Sequence, residues 1–151
     1  VRGANVMLGY FKNPEATAEV LRDGWLYTGD NARIEKDGYF YFVDRMKDMI
    51  KRAGENVAAA EVEGVISQHR SVYEAAVIGI PDQMRDEAIK AYVILHKDQE
   101  ISTDELLEYC RQRLSKFKVP DFIEFVDEFP RTSVGKIQKH FLRKRNKEIP
   151  S

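Results

Sequence analysis

A single cysteine, Cys110, among 151 residues leaves no partner for a disulfide within the chain, so a reducing compartment, the cytoplasm, fits better than a secreted setting. No apolar stretch approaches the roughly 20 residues of a membrane-spanning helix, and no membrane span is expected. The first residues, Val1-Arg2-Gly3-Ala4-Asn5, have neither the basic start nor the apolar run of a signal peptide, and they lack an initiator methionine. The chain is therefore expected to begin inside a longer protein. Lys and Arg number 24 against 25 Asp and Glu, a net charge of −1 that excludes a global attraction to nucleic acid or anionic lipid. Internal repeats and low-complexity segments are absent too. His69, His96 and His140 stand at no metal-ligand spacing, so no metal site is expected here, and Cys110 on its helix reads as a core residue.

What is present is 43% hydrophobic and 32% charged residues, enough apolar surface for a core and enough charge for a solvated exterior. Asn13 can cap a helix that Pro14 opens and that runs towards Gly24. Short aromatic and branched runs at 25–28, 32–35 and 39–43, separated by Gly29-Asp30 and Lys36-Asp37-Gly38, read as strands and hairpins. The charge-dense segment 44–51 reads as a domain junction. Beyond it, the spacing predicts a helix over 58–69, a strand over 72–80 and a buried strand over 88–96. Ser102 with Glu105 forms a capping box that opens a helix through Leu114, followed by a strand over 122–126 and a last basic helix. This order predicts an α+β unit, a small sheet with packed helices, over 47–151, preceded by the short β-rich end of another domain over 1–46.

Three segments carry chemistry. In Trp25-Leu26-Tyr27-Thr28-Gly29-Asp30, a turn at Gly29 lets backbone approach a ligand, and Asp30 presents a carboxylate suited to ribose hydroxyls. The same string also reads as an ordinary hairpin with an acidic turn. The second segment runs from Asp44-Arg45-Met46-Lys47-Asp48 to Lys51-Arg52-Ala53-Gly54-Glu55-Asn56. Its Arg45 offers a fixed charge and a fork of donors, and Gly54 permits a tight turn, although alternating charge also marks a solvated linker. In Pro130-Arg131-Thr132-Ser133-Val134-Gly135-Lys136-Ile137, a lysine on a glycine-containing loop can be delivered to a phosphate or carboxylate oxygen. An exposed surface lysine is the plainer reading, and the segment falls short of a P-loop.

Taken together, in this order and at these separations, the segments resemble the later core motifs of the adenylate-forming superfamily, which includes acyl-CoA synthetases, firefly luciferase and nonribosomal peptide adenylation domains. The resemblance spans nearly the whole chain, from Arg2-Gly3 and Leu8-Gly9-Tyr10 through Pro81-Asp82 to Lys136. It implies the carboxyl-terminal part of an AMP-forming acyl-CoA ligase, in which a carboxylic acid and ATP give an acyl-adenylate and CoA then takes the acyl group. By that resemblance Asp30 binds the ribose of the nucleotide and Arg45 assists, Lys47 is the hinge, Lys136 is the catalytic lysine of adenylation, and Gly54, Glu55 and Asn56 line the CoA tunnel. Lys51 matches a second functional lysine. Mg2+ is expected with ATP but not on this fragment, and the chain's own amino-terminal domain is the expected partner.

Asp44 stands where many relatives have glycine, and Arg85-Asp86-Glu87 replaces a common Gly-Glu pair. The glycine-rich phosphate loop and the acyl pocket have no counterpart here, so the fragment alone is expected to be inactive. Segment 48–57 and Lys116-Phe117-Lys118-Val119-Pro120 are most similar to crotonobetaine/carnitine-CoA ligases and related bacterial acyl-CoA synthetases. Two alternatives stay open: loading of a carrier protein instead of CoA, and a non-catalytic binding module using the basic end, 136–147. The latter lacks aromatic stacking positions for nucleic acid.

Overall fold

The computed structural model describes residues 1–147, and the residues 148–151 that close the expected lid domain lie outside the described residues. The chain forms two compact units, Val1–Lys47 and Asp48–Ser151.

In the first unit, helix α1 (Pro14–Val20) starts as its sequence dictates, with the Asn13 side chain accepting from the Ala16 N–H. It does not run on to Gly24. Leu21–Arg22 (β1) pairs instead with Trp25–Leu26 (β2), because Asp23 and Gly24 both take positive φ, 50° and 76°, the geometry of a two-residue hairpin turn. Strand β3 (Asp30–Ile34) pairs antiparallel with β4 (Phe40–Arg45), with a bulge between Asn31 and Ala32. The turn between them is closed by the Gly38 N–H donating to the Glu35 carbonyl.

A single 3-10 turn, Met46–Asp48, leads into the second unit. The boundary between the units falls within the charged segment 44–51, and the end of that segment is itself folded: Met49–Arg52 (β5) and Glu55–Ala58 (β6) form a hairpin around Ala53 and Gly54, both at positive φ. Burial alternates along β5 in the period of a strand, with Ile50 and Arg52 inward and Lys51 outward, and the opposed pair Ile50 and Val57 is buried in the core. Helix α2 (Ala59–Ile66) buries Ala59, Val62 and Ile66. Strand β7 (Val72–Asp82) pairs antiparallel with β8 (Asp86–Leu95) over ten residue pairs. The sequence predicts an end to β7 before Pro81, yet the strand includes it. Proline is tolerated because β7 is an edge strand and need not donate outward there.

Helix α3 (Thr103–Arg111) carries the expected capping box, in which Ser102 Oγ accepts from the Glu105 N–H and the Glu105 carboxylate accepts from the Ser102 N–H. The Ser102 N–H and, next, the Ser102 hydroxyl, both donating to the carboxylate, hold the Glu105 carboxyl below its ordinary range. The helix stops at Arg111, short of Leu114, whose N–H still bonds the Cys110 carbonyl. After a 3-10 turn at Lys116–Lys118, strand β9 (Phe122–Phe125) runs parallel to β8, and α4 (Lys139–Lys147) follows. The sheet order is β6-β5-β8-β7, with β9 also on β8. Five strands replace the three expected, while the α+β class stands.

Both faces of this sheet are covered. Ala75 and Val77 of β7 with Ile89, Ala91 and Val93 of β8 pack under α2 and α3. Ala76 and Ile78 with Tyr92 pack against Phe129 and Leu142 of the carboxyl-terminal segment. This alternation is the two-residue period of extended chain. A register shift between Val72 and Glu74 lets Val72 join Ala75 on the first face. Across the outer edge of β7, the Glu63 carboxylate of α2 accepts from the Val77 N–H at 2.6 Å.

Cys110 is completely buried in the first cluster, and burial pushes its thiol up to about 11 from 9.0. A raised thiol pKa stabilises the fold while the unfolded thiol is still protonated, and that contribution is lost as pH rises from 9 to 11. The stability advantage of the wild-type chain over Cys110→Ala should therefore shrink across that window, as read from urea midpoints. An advantage that stays constant from pH 8 to 11 would contradict it.

Candidate functional site

The β3–β4 ladder sets Asp30 directly opposite Arg45, and the Arg45 Nε lies 3.6 Å from the Asp30 Oδ1. Two residues that the sequence offered in separate segments thus become one acid and one base side by side. Their location is fixed by backbone: the Asp30 N–H donates to the Thr28 Oγ1, Gly29 turns at φ 73°, and its carbonyl accepts from the Met46 N–H at 2.8 Å. Both side chains are exposed, and an exposed pair of this length is worth at most about 1 kcal/mol. A ribose can therefore compete for the carboxylate and the guanidinium. Asp44 is buried and accepts from the Arg45 N–H at 2.7 Å. Lys47 sits in the 3-10 turn as the last residue of its unit.

In the second unit the β5–β6 register places Lys51 opposite Asn56 and Arg52 opposite Glu55, with Gly54 at the turn and Lys51, Gly54, Glu55 and Asn56 exposed. Beneath this turn lies an anchor that sequence reasoning missed. Arg52 is buried and donates to the carbonyls of Phe117 and Val119, at 3.2 and 2.8 Å, and to Asp121 at 2.6 Å. The other Asp121 oxygen accepts from the Ile89 N–H, and Arg85 makes a second ion pair with Asp121 at 2.8 Å. The Arg85 carbonyl accepts from the Ala53 N–H, and Glu87 accepts from the Lys51 N–H at 2.7 Å. The departure Arg85-Asp86-Glu87 is thus built into the support of the Gly54 turn. The available signal was a charged residue at an inward position of a strand, which requires a buried partner.

The loop bearing Lys136 is a small closed hairpin. Arg131 and Ile137 form an antiparallel bridge, the Thr132 N–H donates to the Lys136 carbonyl at 2.8 Å, and the Lys136 N–H donates to the Thr132 Oγ1 at 3.1 Å. Gly135, at φ 81°, supplies the positive φ of the turn. The Lys136 side chain is exposed, and among the described residues its ammonium makes no ion pair. Arg131 pairs with Glu74 of β7, and that hydrogen bond raises the guanidinium further above its ordinary range.

Register shows how far apart the two loops are. Glu74, which holds the Lys136 loop through Arg131, pairs with Ile94 at one end of the β7–β8 ladder. The Gly54 turn hangs on Arg85 at the other end, where Asp82 pairs with Asp86. Eight residue steps of strand, at ~3.3 Å each, separate the two ends by roughly 26 Å.

The basic cluster of α4 is largely committed internally: Lys139 to Glu63 and Arg143 to Asp48, each at 2.7 Å, and Arg145 to Glu124 at 2.8 Å. The expectation that this helix has no aromatic position is corrected by Phe141, which is about half exposed. The described residues contain no cluster of three or more His, Cys, Asp or Glu able to hold a metal. No helix among them is long and apolar enough to cross a membrane.

Comparison with known proteins adds a family to these features. The model of the family described as AMP-binding enzyme C-terminal domain matches residues 61–136. Over 144 residues, 95% of this chain and 28% of the relative, the chain is 46% identical to a crotonobetaine/carnitine–CoA ligase of Escherichia coli O139:H28. It is 48% identical to a long-chain-fatty-acid–CoA ligase of Yersinia pestis, over 95% of the chain and 25% of that relative. The solved structure of ATP-bound MatB from Rhodopseudomonas palustris superposes with a TM-score of 0.88 at 37% identity, covering 97% of this chain and 29% of that one. The chain therefore spans little more than a quarter of the length of the proteins it matches. Two ligases named for different acids thus match it almost equally well.

Arg52→Met would leave the largely buried Asp121 carboxylate with the half-exposed Arg85 as its remaining ion-pair partner. Removing one member of a buried pair costs about 3 kcal/mol or more, and a loss near 3 kcal/mol is expected in urea unfolding of the chain. Adding Asp121→Asn should recover part of it. A loss below about 1 kcal/mol, the range of surface pairs, would show that the anchor is solvated.

Proposed function

Because the chain belongs to the AMP-binding enzyme C-terminal domain family, we propose that it is the lid-bearing end of an ATP-dependent, AMP-forming acyl-CoA ligase. In this reading Val1–Lys47 closes a larger amino-terminal domain, and the second unit is the mobile lid. A carboxylate oxygen attacks the α-phosphorus of ATP, pyrophosphate leaves, and an acyl-adenylate forms. The CoA thiol then attacks the acyl carbonyl carbon, and AMP leaves with the electron pair of the broken C–O bond. Asp30 accepts from the ribose hydroxyls and Arg45 donates to the same nucleotide. Lys136 carries its charge to the oxygens between carboxylate and α-phosphate as negative charge shifts there. Gly54, Glu55 and Asn56 border the path of the thiol-bearing arm, with Lys51 beside Asn56. A carboxylic acid, ATP and CoA are its small-molecule partners, and the buried, protonated Cys110 suits a reducing cytoplasm.

The observation that carries this reading is the separation of roughly 26 Å along one sheet between the anchors of the Lys136 loop and the Gly54 turn. Two loops at opposite ends of a stiff body cannot reach one reaction centre together. A lid that turns about Lys47 presents first one and then the other, so each step has its own set of groups. The reading of α4 as a grip for nucleic acid is disfavoured by its ion pairs with Glu63, Asp48 and Glu124.

In the full-length enzyme Lys136→Ala should slow adenylation, measured as pyrophosphate–ATP exchange, by about 100-fold, the cost of one preorganised electrostatic contact. Thioester formation from synthetic acyl-adenylate should stay near normal. Equal losses in both steps would remove Lys136 from the role given to it.

Proline at the hinge fixes φ near −65° and removes a backbone donor. Lys47→Pro is expected to retain adenylation while thioester formation falls by at least about tenfold, and Lys47→Ala should be mild in both, as fits a position that turns instead of reacting. Normal rates for Lys47→Pro in both half-reactions would place the pivot elsewhere.

A further inference from the structure

The ammonium of Lys136 sits at the end of a flexible stem, is exposed, and makes no ion pair among the described residues. Its reach and direction before substrate arrives are set by its backbone alone. That backbone is the peptide group joining Gly135 to Lys136, a rigid plane with the Gly135 carbonyl on one edge and the Lys136 N–H on the other. Gly135, at φ 81°, offers little resistance to a flip of this plane, since glycine moves between positive and negative φ at small cost.

Both edges of the plane are held. The Arg131 Nη1 donates to the Gly135 carbonyl at 3.0 Å, and the Lys136 N–H donates to the Thr132 Oγ1 at 3.1 Å. Arg131 is itself fixed: its two terminal nitrogens meet the two oxygens of Glu74, a residue of the long β7 strand, and its guanidinium lies over the ring of the buried Phe129. The planar fork of an arginine bridges a carboxylate and a carbonyl in one fixed geometry, whereas a lysine ammonium is a point charge on a flexible stem. Glu74 thus ties the orientation of one loop peptide to the sheet through a single guanidinium.

Building on the function proposed above, we infer that Arg131, braced by Glu74, and Thr132 are positioning residues for Lys136, locking the Gly135–Lys136 peptide so that the ammonium points to the reacting oxygens during adenylation. Neither contributes through contact with substrate. A misplacement of about 1 Å can cost about 100-fold in rate, so loss of the lock weakens the lysine without removing it.

The test uses the full-length enzyme, with pyrophosphate–ATP exchange and thioester formation from synthetic acyl-adenylate measured side by side. Arg131→Gln and Thr132→Val should each lower adenylation by about 10- to 100-fold, with thioester formation within about twofold of wild type and unfolding midpoints little changed. Thr132→Ser, which keeps the hydroxyl, should restore the rate lost in Thr132→Val. The deciding variant is Arg131→Gln combined with Lys136→Ala: a residue acting only through Lys136 adds nothing once the lysine is gone, so the double variant should match Lys136→Ala alone. Multiplicative loss in the double variant would overturn the inference by giving Arg131 its own contact, and a parallel fall of both half-reactions with the midpoint would overturn it by making the brace merely structural. If Lys136→Ala itself spares adenylation, the proposed function fails and this inference fails with it; if only the Arg131 and Thr132 variants spare adenylation, the inference alone is lost.

Discussion

The second unit depends on the antiparallel ladder between β7 and β8, ten residue pairs long and buried on both faces. Because side chains alternate along each strand, one ladder supplies two separate apolar surfaces, and each recruits its own covering layer. The layer formed by α2 and α3 and the layer formed by α4 with Phe129 are therefore coupled through backbone hydrogen bonds as well as through packing. A ladder of this length is also what keeps its two ends at a fixed separation, so loops attached to opposite ends behave as parts of one body.

Charge is used where apolar packing cannot reach. Arg52, Arg85 and Asp121 join the β5–β6 hairpin to the start of β8 and to the segment before β9. Arg143 and Asp48 join α4 to the first residue of the unit, and Lys139 and Glu63 join it to α2. These contacts are directional, which suits connections between elements that share little apolar surface. The many basic residues near the carboxyl terminus, which by composition alone resemble a surface for anions, are in large part the internal fasteners of α4.

How much of this could be read from the sequence depends on the range over which each signal acts. The Asn13 cap, the Ser102–Glu105 box and the strands around Val77 and Ala91 were legible because their causes lie within a few residues. The end of α1 was misread because apolar spacing continued through Leu21, while the Asp23-Gly24 turn, a local signal as well, decided the outcome. The β5–β6 hairpin was hidden by its charge: Lys51 and Arg52 look like linker residues until Asp121, about 70 positions later, turns out to hold Arg52. The roles proposed for Asp30, Arg45, Lys47, Lys51, Gly54, Glu55, Asn56 and Lys136 rest on resemblance to a family, since each of their strings is ordinary by itself. Arg131, Glu74 and Thr132 could not be found that way, because their partnership exists only once the loop is folded onto β7.

The outer edge of β7 carries one more consequence. An unpaired strand edge is an invitation to any other extended chain, and a strand as long as β7 would be at risk of adhering through it. Here Pro81 has no N–H to offer, and the Val77 N–H is already taken by Glu63, whose carboxylate also holds Lys139. The same glutamate that joins α2 to α4 thereby also occupies a donor on the edge of the sheet, which disfavours strand addition and aggregation.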